Sequence, residues 1–107
     1  MKPSIILLTS AIVFTIFTFQ SCTKTQNNFV PSCSGTAKTF SGDAFPIIQS
    51  ACLSCHTSSL NNYANVAARA SSIRSKIIDG SMPQSGSLSS TQKNAIICWI
   101  DNGALNN

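Results

Sequence analysis

The spacing of apolar positions predicts a short helix that runs directly into Cys52. Either Ser41 or Asp43 is expected to cap this helix, and Pro46 fits its first turn, where a missing backbone N–H costs nothing. The apolar positions of this helix are Phe45, Ile47, Ile48 and Ala51. Its polar start and apolar body place the beginning of the folded unit close to residue 40.

Two further short helices are predicted in the middle of the chain, Tyr63 to Ala70 and Ser72 to Asp79. The residues between Cys52 and the first of these helices are mostly polar and predict a loop. Gly80 is a plausible stop for the second helix, because glycine readily adopts the left-handed conformation found after helix ends. The stretch 81–88 is rich in Ser, Gly and Pro and predicts another loop.

The last helix has the clearest local signals. Ser89 followed by Gln92 forms a predicted capping box, and Gly103 marks the far end. Between them, Ile96, Trp99 and Ile100 repeat at three and four positions and form one apolar stripe. Because no segment shows the alternation of a strand, the predicted fold class is all-α, with about four short helices.

The N-terminus has the pattern of a secretory signal peptide, predicted over residues 1–21. A single charge, Lys2, precedes an uncharged apolar run of 15 residues from Ile5 to Phe19. A membrane-spanning helix needs about 20 residues, so an uncleaved anchor is the less favoured alternative.

The end of that run, Phe19-Gln20-Ser21-Cys22, resembles the lipobox of bacterial lipoproteins. The resemblance implies cleavage before Cys22 and lipid attachment to its thiol, although Phe19 and Gln20 depart from the usual pattern. An ordinary signal peptide with an unrelated cysteine is the alternative. Residues 22–39 are rich in Ser, Thr and Asn and predict a lipidated flexible tether before a folded domain at 40–107.

The net charge gives little information about the partners of the protein. The chain beyond the predicted signal peptide carries a side-chain balance of +3 and has no run of Lys and Arg with interleaved aromatic residues. Nucleic-acid binding is therefore not expected. The charged residues of this part are Lys24, Lys38, Arg69, Arg74, Lys76 and Lys93 against Asp43, Asp79 and Asp101.

The candidate chemistry lies in Cys52 to His56, which reads Cys-Leu-Ser-Cys-His. Two thiols at this spacing, followed directly by an imidazole, form the attachment pattern of a c-type haem: Cys52 and Cys55 would bond the haem, and His56 would ligate its iron. A zinc site normally needs four ligands in two pairs, which the rest of the chain does not offer. A thioredoxin-like redox pair would need a βαβ context, which the pattern does not predict.

Met82 is the candidate for the second axial ligand. His56 is the only histidine, and Met82 is the only methionine outside the predicted signal peptide. It lies in a loop beside Pro83, which would stiffen the loop near the thioether. A methionine without a ligand role on a surface loop is the alternative, and Tyr63, Lys76 and Lys93 are weaker candidates for the same position.

These motifs, in this order, resemble a small bacterial class I cytochrome c of the lipoprotein type. The resemblance covers roughly residues 40–107 and rests on Cys52 to His56, on Gly80 to Pro83 and on Cys98 to Ala104. It implies an all-α fold around one covalent haem, in which the first and last helices cross and pack.

The same resemblance implies that Ile48, Trp99 and Ile100 form part of the hydrophobic core around the haem. The alternative for Trp99 is a position at the haem edge.

Cys33 and Cys98 are the two remaining cysteines of the predicted mature chain, and in an exported protein this favours a disulfide between them. The alternative is a buried Cys98 and an exposed free thiol at Cys33.

With both axial positions filled, the expected function is one-electron transfer and not catalysis. The expected protein is a monomeric electron carrier of the cell envelope that exchanges electrons with redox proteins. Its N-terminal lipid is expected to tether it to a membrane facing the periplasm, and the outer membrane is one candidate. Arg69 and Arg74 could pair with haem propionates or lie solvated at the surface. Two alternatives stay open: a haem peroxidase or sensor with an exchangeable sixth ligand, and a lipoprotein whose Cys52–Cys55 pair is a disulfide.

Overall fold

The computed structural model describes residues 28–107, and within this part the chain forms helices and loops without a β-strand. The predicted all-α class is therefore confirmed. The predicted signal peptide at 1–21 and Cys22, the predicted lipidation site, lie outside the described residues. A π-helical turn, Phe40–Ala44, leads into four helices: α1, Phe45–Ala51; α2, Tyr63–Ala67; α3, Ala70–Ile78; and α4, Ser90–Asp101.

The first helical segment begins earlier than predicted. Thr39 is its N-cap: the Thr39 hydroxyl accepts a hydrogen bond from Gly42 N at 3.1 Å, and Asp43 Oδ2 accepts one from Thr39 N at 2.8 Å. The prediction of a cap at Ser41 or Asp43 was wrong. The backbone N–H groups of Phe40 and Ser41 donate instead to oxygens of Asn107, a contact across the whole domain that local sequence does not reveal.

Helix α4 matches its prediction closely. Ser89 and Gln92 form the capping box, with Ser89 N donating to Gln92 Oε1 at 2.9 Å and Gln92 N donating to Ser89 Oγ at 3.2 Å. Gly103, just beyond the helix, has a φ of +103°, which explains the need for glycine there. The helix buries Ala95, Ile96, Ile97, Cys98 and Trp99 in succession.

The π-helical turn and α1 pack against α4, so the first and last helical segments share one core. The Phe40 and Trp99 ring centroids lie 5.3 Å apart, and Ile48 and Trp99 are both almost completely buried. Tyr63 joins the cluster by an edge contact with Phe40 at 5.2 Å. Trp99 Nε1 donates to Leu105 O at 2.8 Å, which satisfies the one polar atom of this buried ring.

Helix α2 ends three residues before its predicted end, whereas α3 begins two residues before its predicted start and ends one residue early; a break near Arg69 separates the two helices. The Asn62 side chain caps α2 by accepting from Asn65 N at 3.0 Å. After α3, Gly80 has a φ of +74°, in keeping with its predicted role as a stop. The predicted loop 81–88 contains no helix or strand.

The segment before the helices is bound to the domain from Phe29 onward, which differs from a free spacer reaching residue 39. Cys33 and Cys98 form the disulfide that the leftover pair predicts. Phe29 N donates to Ile78 O at 3.0 Å, and Ser32 N donates to the side chain of Asn94 at 2.9 Å. A free tether could therefore extend only through residues before this segment. Within residues 28–107, no helix is both long and apolar enough to cross a bilayer.

Candidate functional site

The Cys-Leu-Ser-Cys-His segment forms a tight turn at the end of α1. Cys52 is the C-cap residue, and its N–H continues the helix by donating to Ile48 O at 2.9 Å. The Cys52 carbonyl then accepts from both Cys55 N at 3.2 Å and His56 N at 2.9 Å. One carbonyl therefore holds the backbones of Cys55 and His56 in a turn against that of Cys52.

The turn opens onto a cavity of about 380 Å³, within the range of roughly 300–1,000 Å³ found for small-molecule sites. Cys52, Cys55, His56 and Met82 all line this one cavity. Its apolar wall comes from α1, α3, α4 and two loops, through Ile48, Leu60, Ile73, Ile77, Leu88 and Ile96. Residues far apart in sequence thus bring two thiols, an imidazole and a thioether to one apolar space.

The two thiols have different environments. Both are free of any disulfide; Cys55 is exposed, whereas Cys52 is half-buried. Burial raises the pKa of the Cys52 thiol, because the apolar surroundings disfavour the charged thiolate. Burial therefore makes the Cys52 thiol a weaker nucleophile than an exposed thiol.

His56 has a neighbour that can orient its ring. Ser59 Oγ lies 3.4 Å from His56 Nδ1, a long contact between side chains three positions apart. When Nδ1 carries the proton, Ser59 can accept it as a hydrogen bond and Nε2 keeps a free lone pair for a metal. Such second contacts commonly fix the tautomer of a ligating histidine.

Met82 lies in the loop that follows α3 and is half-buried at the cavity. Its backbone N–H donates to Lys76 O at 3.2 Å, which ties the loop back onto α3. Of the weaker candidates for the same ligand position, only Lys76 also lines the cavity. Tyr63 instead donates from its hydroxyl to Ala104 O at 2.9 Å, and Lys93 lies over the Phe29 ring.

Arg74 and Trp99, two side chains considered as neighbours of the haem, lie outside the cavity lining. Arg74 is engaged by Asp101 through two hydrogen bonds, of 2.6 Å from Nε and 3.1 Å from Nη2, and it does not line the cavity. The suggestion that Arg74 pairs with propionates is therefore not favoured. Trp99 belongs to the aromatic cluster with Phe40 and is not part of the cavity wall.

Sequence reasoning missed Ser59, Leu60 and Leu88 as parts of the site. Ser59 follows His56 by three positions, a spacing that brings side chains together in a turn, so this contact had a local signal. Leu60 and Leu88 are buried residues within loops, and only the tertiary fold places them at the cavity. Among the described side chains, no group of three or more His, Cys, Asp or Glu is arranged to hold a metal ion by itself.

Comparison with known proteins adds no relative. The chain matches no protein-family model, no curated protein and no solved structure.

Proposed function

We propose that the protein is a mono-haem c-type cytochrome that transfers single electrons in the cell envelope. The observation that carries the proposal is that Cys52, Cys55, His56 and Met82 line one largely apolar cavity. Two thiols, one imidazole and one thioether are the donor set for covalent attachment and axial ligation of a haem. The donor set and the apolar wall fit the group.

The thiols of Cys52 and Cys55 would hold the haem covalently, each through a thioether made by adding its S–H across a vinyl double bond, which needs no oxidant. Cys52 is half-buried, so we expect attachment before or during folding, when that thiol is more accessible. His56 would ligate the iron, with Ser59 orienting its ring.

Met82 would supply a second ligand to the iron from the loop after α3. A soft thioether favours the reduced metal more than a second imidazole does, so the ligand pair suits an electron carrier of raised potential. The chemistry that a bound haem would supply here is reversible exchange of one electron. The surrounding apolar residues, such as Ile73 and Leu88, would exclude water from the loaded site.

The site of action follows from the N-terminus. The signal pattern at 1–21 and the lipobox-like Ser21-Cys22 support export and lipid attachment, which would leave the domain facing the periplasm from a membrane. Redox proteins of the envelope are the proposed partners.

Replacing Met82 with alanine tests the proposed coordination. In the purified holoprotein we expect the oxidised spectrum to change from low spin towards high spin, because removal of the thioether opens the axial position. Lys76→Ala is the matched control, since Lys76 is the other candidate side chain on the cavity. A low-spin spectrum that survives Met82→Ala would contradict the Met82 assignment, and its loss in Lys76→Ala would assign the position to Lys76 instead. A high-spin spectrum in the unaltered holoprotein would instead favour a peroxidase or sensor.

A further inference from the structure

In the described part of the chain, some of the positively charged side chains have an interaction partner and others have no carboxylate beside them. Residues 28–107 contain five Lys and Arg side chains, and three of them have an evident partner. Lys38 pairs with Asp43 at 3.6 Å, Arg74 pairs with Asp101, and Lys93 lies 5.0 Å from the centroid of the Phe29 ring. No carboxylate in this part of the chain lies within 4.0 Å of the cationic nitrogens of the remaining two, Arg69 and Lys76.

Both of these cations line the cavity. Arg69, Ile73 and Lys76 are spaced by four and then three positions, which places them along one face, from the N-cap residue of α3 to its last turn. The cavity lining includes no Asp or Glu. The cavity therefore has two cations and no carboxylate on its wall. The charge of Asp79 acts on Lys76, but Asp79 lies outside the cavity lining and forms no ion pair with Lys76.

We propose that Arg69 and Lys76 bind the two carboxylate groups of the ligand in this cavity, which for a haem are its propionates. The inference rests on the proposed function and deepens it, because it assigns the polar end of the ligand to the α3 side of the cavity. It also replaces Arg74, whose guanidinium is engaged by Asp101, with Lys76.

The hydrogen-bonding capacity of the two side chains supports the assignment. Arg69 donates from Nη1 to Asn65 O at 3.2 Å, and a guanidinium has five N–H donors, so most of them stay available. Lys76 has three donors on its ammonium group. Bonds from such cations to carboxylates are about twice as strong as bonds between neutral groups. Ile73 lies between the two cations in sequence and contributes apolar surface to the same wall.

The pH dependence of the reduction potential tests this assignment in the holoprotein. A nearby cation lowers the pKa of a carboxylate, so removing it by Arg69→Gln or Lys76→Gln should raise that pKa. We expect the inflection in the curve of potential against pH to move to higher pH by up to about one unit in each variant. The potential at neutral pH should also fall, because ferric iron loses a neighbouring repulsive charge.

Lys93→Gln is the matched control, since it removes the same charge outside the cavity and should leave the inflection in place. Arg69→Lys keeps the positive charge, so its inflection should lie close to that of the unaltered protein and not at the higher pH of Arg69→Gln. The assignment is overturned if Arg69→Gln and Lys76→Gln leave the inflection unmoved, or if Lys93→Gln moves it equally. Covalent haem on the denatured protein is measured in the same samples: its absence means failure of the proposed function, whereas its presence with an unmoved inflection means failure of this assignment alone.

Discussion

At the scale of single residues, the contact between His56 and Ser59 is the feature most able to tune the proposed metal ligand. The Ser59 hydroxyl lies 3.4 Å from His56 Nδ1 and can accept its proton as a hydrogen bond. An acceptor on the far nitrogen makes a ligating imidazole more basic and so stabilises the oxidised metal.

Ser59→Ala removes that acceptor. We expect a small rise in the reduction potential of the holoprotein, because a less basic imidazole stabilises ferric iron less well. Equilibrium redox titration measures the change. Ser58→Ala is the control, since Ser58 is an exposed neighbour outside the cavity lining. An equal shift in both variants, or a fall in Ser59→Ala, would show that the contact does not act on His56.

Whether a contact of a single residue can be predicted from the sequence depends on how far apart its partners lie along the chain. The thiols and His56 lie within five consecutive residues, so their turn was predictable from a motif. Met82 was predictable because the chain has so few alternative ligands. The partner of Arg74 was not, since Asp101 lies 27 positions away and only the packing of α3 beside α4 brings the two together.

At the scale of elements, the start of the first helical segment depends on the reciprocal contact between Thr39 and Asp43. Hydrogen bonding from the Thr39 backbone N–H is the main cause that holds the pKa of Asp43 below its ordinary value, with smaller help from the Thr39 hydroxyl and Lys38. Because the folded-state pKa is depressed, this contribution to stability is present above the unfolded pKa and is lost as pH falls through the folded pKa.

Asp43→Asn tests that contribution. We expect the unfolding free energy of the native protein to exceed that of the variant at neutral pH, by an amount that shrinks as pH falls below about 4. Urea unfolding at a series of pH values measures the difference. Lys38→Gln is the control and should keep most of the pH dependence, because the Thr39 backbone bond is the larger cause. A difference independent of pH would contradict the capping role of the carboxylate.

The two helix starts show why one cap was predictable and the other was not. The Ser89 and Gln92 box of α4 is complete within four residues, so its sequence pattern is sufficient. The first segment also uses Asn107, 67 positions from Phe40, to accept an N–H bond. A partner at that distance leaves no local signal, and the cap was therefore assigned too late in the chain.

At the scale of the whole molecule, the Cys33–Cys98 disulfide joins the segment before the helices to the last helix. The two cysteines are 65 positions apart, so the bond closes most of the described chain into one loop. Its neighbourhood includes the bond from Ser32 N to Asn94 and that from Phe29 N to Ile78. A domain this small has a thin margin from its core alone and benefits from such a covalent link.

The Cys33→Ser, Cys98→Ser double variant should lose about 4 kcal/mol of unfolding free energy, because the unfolded chain regains the entropy of an open loop. Urea unfolding of the holoprotein measures the loss. Ser34→Ala, an exposed neighbour of Cys33, is the control and should change stability little. A loss below about 1 kcal/mol in the double variant would contradict a major stabilising role for the bond.

The central claim is that Cys52 and Cys55 carry a covalent haem, and intact mass after acid–acetone extraction of the denatured exported protein tests it most directly. The account predicts that the polypeptide keeps the mass of one haem, and that the Cys52→Ser, Cys55→Ser variant loses it entirely. Complete extraction of haem from the unaltered protein, or a mass showing only a Cys52–Cys55 disulfide, would contradict the account.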